Sequence, residues 1–268
     1  MGALVRAPVR IAYVLYAAMT FLILGFALLA ATLLLPGVHR RRAAARAVAR
    51  GFLWLAGMPL TVRGMERLVP GQCIVVSNHA SYLDGLVFTA ALPGRFSFVI
   101  KREMSAVPFV GLFLRRIGSE FVERFDRSRS AADARRMLRN AASGHSLVFF
   151  PEGTFTRSPG LLKFHTGAFV TAARAGCPVI PAVVRGTRAA LPPNGNLPRP
   201  GRIEVEILPP IHAEPEGEAS SAALRDRARQ AILVALGEPD LTCSDDSARL
   251  PRTEHARSAR ASRSSPTP

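Results

Sequence analysis

Two residues able to move a proton stand five positions apart in the stretch Ser77-Asn78-His79-Ala80-Ser81-Tyr82-Leu83-Asp84-Gly85. A histidine held by a carboxylate is a general base. The carboxylate fixes the imidazole tautomer and stabilises the imidazolium as the proton arrives. Five residues is an awkward offset on a helix, because about 100° per residue sends the two side chains roughly 140° apart. Cooperation between His79 and Asp84 therefore requires the chain to bend between them. The stretch also fits a helix start, with Ser81 as N-cap and Asp84 in the first turn. On these residues alone, capping and catalysis both remain open.

No activated nucleophile accompanies the pair. The chain has no G-x-S-x-G elbow, no P-loop and no G-x-G-x-x-G fingerprint. His79 and Asp84 with Glu152 lack a second histidine at ligand spacing, so no metal and no cofactor is expected. His145 and His165 read as ordinary loop or core residues. Cys73, Cys177 and Cys243 are scattered and odd in number, which argues against a disulfide framework and suits a reducing compartment. What fits is a base that deprotonates a hydroxyl on the acceptor substrate, with cations holding an anionic group beside it.

Such a site needs a scaffold, and the chain alternates in a way that supplies one. Short apolar, β-rich runs fall at 73–76, 96–100, 120–122, 146–150, 179–184 and 203–208. Helical stretches are predicted at about 83–91, 107–117, 130–142, 166–175 and 219–236. This alternation predicts an α/β domain with a mostly parallel central sheet flanked by helices, and the nearly all-apolar strands imply cover on both faces. Polar clusters follow successive strands. Lys101 and Arg102 come after the second, Glu123 and Arg124 after the third, and Glu152, Gly153, Thr154 and Arg157 after the fourth. Ligands bind outside the carboxyl ends of strands in open α/β sheets. Parallel strands would thus bring these clusters and His79 to one rim.

The N-terminal part is of a different kind. No acidic residue precedes Glu66, and residues 11–35 carry no charge at all. As a helix that run would reach roughly 37 Å, enough to cross a bilayer with tilt. It is too long for a signal peptide's apolar region and lacks a small-x-small cleavage site, so it reads as a retained membrane-associated segment. Arg42, Arg46 and Arg50 recur every fourth residue, with Ala45, Val48, Phe52 and Leu55 on another face. That pattern predicts a basic amphipathic helix lying on an anionic leaflet, or else packed on the catalytic domain. The arginines after the apolar run outnumber those before it, which puts the catalytic bulk on the cytoplasmic side of the cell's inner membrane. Both flanks are basic, so the segment can equally dip into one leaflet with its neighbour. The expected organisation is a membrane anchor with basic helix over 1–58, a catalytic domain over 59–238, and a disordered Ser/Arg/Pro-rich tail over 239–268.

Four ordered blocks now stand out: Asn78-His79-x-x-x-x-Asp84, "GSEFVER" at 118–124, "FPEGT" at 150–154 and "CPVIPAVV" at 177–184. Together they resemble the glycerolipid acyltransferase family, which includes the 1-acylglycerol-3-phosphate acyltransferases. The resemblance covers roughly residues 60–210. It implies transfer of an acyl group from acyl-CoA or acyl-carrier protein to a lysophospholipid hydroxyl. His79 would take the hydroxyl proton, Asp84 would orient the ring, and Arg124 would pair with the acceptor phosphate through its guanidinium fork. Glu152, Gly153 and Thr154 would shape the acceptor pocket, Glu152 binding a hydroxyl or holding Arg124. Lys101 and Arg157 are further candidates for the substrate phosphate. Two departures touch the acceptor side. Phe155 and Thr156 intervene before Arg157 where the family block runs directly into arginine or serine, and Glu123 stands where aspartate is common. An acyltransferase for another lysolipid or an amino-lipid is therefore the nearest rival. A basic membrane-tethered binding protein would explain the net charge of +16 but not the ordered blocks. Aromatic residues make up only 7% of the chain and do not interleave with basic ones, so no nucleic acid is expected as a partner.

Overall fold

The computed structural model describes residues 2–122, 145–193, 197–213 and 217–242. Seven strands form one sheet in the order β1-β7-β6-β2-β5-β3-β4. They are β1 (Leu60–Arg63), β2 (Ile74–Ser77), β3 (Phe96–Lys101), β4 (Glu120–Val122), β5 (Ser146–Phe149), β6 (Val179–Arg185) and β7 (Ile203–Ile207). From β6 across to β4 every pairing is parallel. Only β6 and β7 run antiparallel. Every residue of β2 and β5 is buried, as expected of central strands covered on both sides.

Pro181 lies inside β6, in the middle of the sheet. It accepts a hydrogen bond from the Leu208 N–H at 2.8 Å but has no N–H to return. The β6–β7 register begins one residue later, at Ala182↔Ile207. The proline thus sits where the ladder ends and leaves no pairing unmade inside it.

Helices α1 (Gly2–Leu34), α2 (Val38–Leu55), α3 (Asp84–Ala91) and α4 (Val110–Arg116) precede β4. Later come α5 (Gly167–Ala175), the single turn α6 (Thr187–Ala190) and α7 (Gly217–Leu236). Phe52 and Leu53 of α2 and Val87 and Phe88 of α3 share one buried cluster with Val75 and Val148 of the sheet. Phe169 of α5 and Leu224 and Ile232 of α7 share another with Ile74 and Leu147. Successive strand residues face opposite sides, so these clusters lie on opposite faces of a three-layer core.

Outside α2 lies α1, antiparallel to it. Tyr13 donates to the Ala56 carbonyl at 2.8 Å, and Phe21 meets Phe52 edge-on at 5.5 Å between ring centroids. The stretch Pro8–Leu34 is 27 residues long and mostly unburied, and it is long and apolar enough to cross a membrane. Ile11, Leu15, Met19, Leu22, Ile23 and Phe26 all point outward. The helix is thus half of a hairpin with one broad apolar side left uncovered.

Of the two settings open to the arginine row of α2, Arg42 and Arg46 take the packed one. Arg42 is buried. Its Nε donates to the Ile117 carbonyl at 2.7 Å, its Nη1 to Gly94 at 3.3 Å, its Nη2 to Gly118 at 3.2 Å and also to the Ser97 hydroxyl. Arg46 reaches the carbonyls of Ala90 and Ala91. Of the three expected to face an anionic leaflet, only Arg50 is exposed. The cause is backbone demand: the chain ends after α3 and α4 present carbonyls that need donors, and a guanidinium carries five. Burial holds Arg42 below the usual arginine range, with nearby Glu120 opposing that shift.

Two further differences are local. β1 and α6 were not foreseen, being too short for a period to show. At the other end the chain stays packed past Glu238: Leu161 N–H donates to the Pro239 carbonyl and Leu241 N–H to that of Leu161. Arg229 also pairs with Asp240 at 2.6 Å. The expected helix at 130–142 and the tail from Cys243 onward lie outside the described residues.

Candidate active site

β2 carries the chain to the carboxyl edge of the sheet and delivers Asn78 and His79 there. Asn78 is locked to its neighbour strand: its Nδ2 donates to the Val184 carbonyl at 3.0 Å and its Oδ1 accepts from the Val184 N–H at 2.8 Å. This mimics one more step of the β2–β6 ladder with a side chain. It fixes where the backbone turns and hence where His79 stands.

The bend between His79 and Asp84 closes the five-residue gap. His79 Nδ1 lies 2.7 Å from Asp84 Oδ2. The same oxygen accepts the N–H groups of Ala80 at 2.6 Å and Ser81 at 2.9 Å. Asp84 opens α3 and is fully buried. One carboxylate oxygen thus closes the turn that leads into α3 and also contacts the histidine. Ser81 supports the same turn: its hydroxyl accepts from the Leu83 N–H at 3.2 Å and donates to the Leu191 carbonyl at 2.9 Å, and no side chain caps α3 itself. With Nδ1 donating to Asp84, Nε2 carries the free lone pair. It has no hydrogen-bond partner among the described residues.

Glu152 is bonded to the backbone through both oxygens. Its Oε1 accepts the His79 backbone N–H at 2.6 Å and its Oε2 accepts the Leu162 N–H at 2.9 Å. Both oxygens are committed to the chain, and the residue is 4% exposed. It ties β5's exit loop to the histidine turn. Gly153 serves the same turn, at φ 73° and with its N–H on the Phe150 carbonyl at 3.0 Å. That left-handed conformation is one a side chain rarely adopts.

Burial pushes the Glu152 carboxyl up from 4.5 to about 8. The N–H groups of Leu162 and His79 and the charge of Arg188 pull the other way, while Asp84 adds to the rise. In the unfolded chain this group ionises near 4.5. Between those two values the native state holds a proton that the unfolded state has released. Stability therefore falls as pH rises through the window, at up to about 1.4 kcal/mol per pH unit. Glu152→Gln should remove that slope. Melting curves from about pH 5 to about pH 8 should show the wild-type chain losing ground to the variant. Parallel trends would mean that Glu152 does not titrate there.

Aromatic rings surround the imidazole. Phe150 stacks on it at 4.6 Å with an interplanar angle of 23°. Phe155 meets it at 4.6 Å and 75°, and Tyr82 meets Phe155 at 4.8 Å and 87°. These rings and Asn78 were not among the residues singled out for the site. The aromatics bracketing Pro-Glu-Gly-Thr were the available signal.

The remaining candidates spread along the rim. Lys101 ends β3 and is exposed, and Thr154 is half-buried beside Gly153. Arg157 is exposed and lines a cavity of about 450 Å³ with Arg188, Pro192, Pro193 and Glu238. Arg188 is itself held by Glu238 at 2.9 Å. Arg124 and Glu123 lie outside the described residues. The structure therefore gathers His79, Asp84 and Glu152 into one contact network and leaves Lys101 exposed at the end of β3 and Arg157 exposed in the loop after β5.

A seven-stranded, mostly parallel sheet with this histidine turn at its carboxyl edge defines an acyltransferase-type domain, and residues 59–185 match the family model described as Acyltransferase. The 1-acyl-sn-glycerol-3-phosphate acyltransferase of Pseudomonas aeruginosa is 31% identical over 76% of this chain and 81% of its own length. The bovine alpha form is 31% identical over 69% of this chain, and the yeast enzyme 28% identical over 69%. The chain spans 65% and 62% of those two relatives. The crystal structure of the 1-acyl-sn-glycerophosphate acyltransferase PlsC from Thermotoga maritima superposes with a TM-score of 0.71 over 92% of this chain and 99% of that one. At 21% identity it shows a shared fold. The chain belongs to the 1-acyl-sn-glycerol-3-phosphate acyltransferase family.

Proposed function

We propose that this protein transfers an acyl group from acyl-CoA or acyl-carrier protein to the free hydroxyl of 1-acylglycerol-3-phosphate, giving phosphatidic acid. The observation that carries the reading is the 2.7 Å contact between His79 Nδ1 and Asp84 Oδ2, which leaves Nε2 basic at the ligand-binding edge of the sheet. Nε2 takes the proton of the acceptor hydroxyl as its oxygen attacks the thioester carbonyl. Asp84 holds the ring and balances the imidazolium. The proton then passes to the departing thiolate. A thioester is already activated, so base catalysis and positioning suffice without an acyl-enzyme. Glu152 and Asn78 act behind the base, fixing the backbone on either side of it.

The uncovered apolar side of α1 supports a membrane location, where acceptor and product reside. The surplus of arginine after that helix favours the cytoplasmic face of the inner membrane. Phe155 and Thr156, inserted before Arg157, favour keeping a second acceptor in view, another lysolipid or an amino-lipid. Purified protein in detergent, crossed with a panel of lysolipids, acyl-CoA and acyl-carrier protein, tests the whole reading. Activity confined to a lysolipid without a phosphate monoester would replace it with the second acceptor.

Arg124 is the residue through which the acceptor phosphate should be read. Charge-assisted hydrogen bonds contribute about 1.5–3 kcal/mol, so Arg124→Ala should lower acceptor kcat/KM roughly 10–100-fold with little change in donor saturation. Monoacylglycerol assayed beside lysophosphatidic acid gives the preference ratio. An unchanged ratio would pass the role to Lys101, Arg102 or Arg157.

A further inference from the structure

His79 is closed in on several sides at once. Asp84 occupies its Nδ1 edge, Phe150 covers one ring face, and Phe155 stands across it at 75°. Phe155 is braced from outside by Tyr82, which is 74% exposed. Inward, Phe150 rests on the buried Phe88 at 5.6 Å. The rings thus form a row from core to solvent with the imidazole in its middle, and the His79 side chain keeps 20% of its surface.

A base beside a thioester meets a selectivity problem. It can take a proton from any hydroxyl in reach, including water. In that side reaction the water oxygen attacks the thioester carbonyl carbon and His79 Nε2 takes the water proton. The C–S bond then breaks with its electron pair going to sulfur, and the imidazolium protonates the thiolate. The products are a fatty acid and a free thiol. Transfer follows the same steps with a lipid hydroxyl in place of water and ends in an ester. A lipid acceptor brings an apolar chain that lies favourably along aromatic edges; water brings none, and excluding it suppresses such side reactions.

We propose that Phe155, braced by Tyr82, is a specificity-determining cover that keeps water from His79 and so directs the acyl group to the lipid hydroxyl instead of to hydrolysis. The inference rests on the acyl-transfer reading. It assigns Phe155 no contact with the reacting atoms.

The test uses the full chain in detergent with the thioester donor that supports transfer. Thiol release is measured with and without lysophosphatidic acid, alongside ester formation. Phe155→Ala should raise the ratio of hydrolysis to transfer about tenfold or more, Tyr82→Ala should raise it less, and Phe155→Leu, which keeps apolar bulk, should stay near wild type. Melting temperatures report folding. A merely structural role would lower both reactions together and leave the ratio fixed. An unchanged ratio in Phe155→Ala, or in Tyr82→Ala where the first variant does not fold, overturns the proposal. Wild-type thiol release with no acceptor-dependent ester would instead strike at the transfer reading and leave the cover to be judged on hydrolysis alone: a rise in Phe155→Ala would support it, and no rise would overturn it.

Discussion

Replacing His79 by alanine is expected to cut acyl transfer by about 10²–10⁴-fold, the usual weight of a general base, while the chain still folds and still associates with membranes. The structure indicates why folding should survive. The Glu152 carboxyl group holds the backbone N–H of residue 79, which alanine also has. Asp84 keeps the N–H groups of Ala80 and Ser81 after the ring is gone. The turn therefore retains its frame and loses mainly the ring between Phe150 and Phe155. Assays at saturating acceptor and donor, set beside melting curves, check the expectation. Near-normal turnover by a well-folded variant would remove His79 from the mechanism.

That pair was legible in the sequence because its partners are close along the chain. Five residues, one polar turn after an apolar run, and a helix-start pattern were enough to suggest a bend. The rim was legible for a related reason, since each polar cluster directly follows a strand and parallel strands end together. Glu152 was not legible in its role. It reaches backbone N–H groups at His79 and Leu162, and a main-chain donor leaves no mark in residue type. The row Arg42, Arg46, Arg50 left its setting open for a different reason. A four-residue spacing reports which residues share a helix face but not whether carbonyls or solvent lie opposite. β1 was invisible because "LTVR" is too short for a period, and its partner β7 lies far along the chain. Non-local pairing of this kind decides placement only after the chain has folded.

Asp84→Asn separates the two roles that one carboxylate oxygen performs. Three donors, His79 Nδ1 and the N–H groups of Ala80 and Ser81, converge on Oδ2. Oδ1 is buried without a partner among the described residues. An asparagine can therefore set its carbonyl where Oδ2 stands and still receive all three N–H groups, leaving the His79 tautomer unchanged. Its amide NH₂ then falls at the Oδ1 position as a buried, unpaired donor, at a cost of about 1–3 kcal/mol. Asparagine holds a turn of this kind much as aspartate does, so the turn role alone predicts a modestly destabilised protein that turns over normally. The negative charge is what asparagine cannot supply. Without it, the imidazolium that forms as Nε2 takes the acceptor proton has no counter-ion in a site closed by aromatic rings, where charge interactions are strong. Transfer should fall by about 10²–10³-fold, in kcat more than in the KM of either substrate, because the charge acts on the proton-transfer step and not on binding. Asp84→Ala should do worse on both counts, since it also abandons the three N–H groups. A folded Asp84→Asn protein with wild-type kcat would reduce Asp84 to a support of the turn and remove its charge from the mechanism.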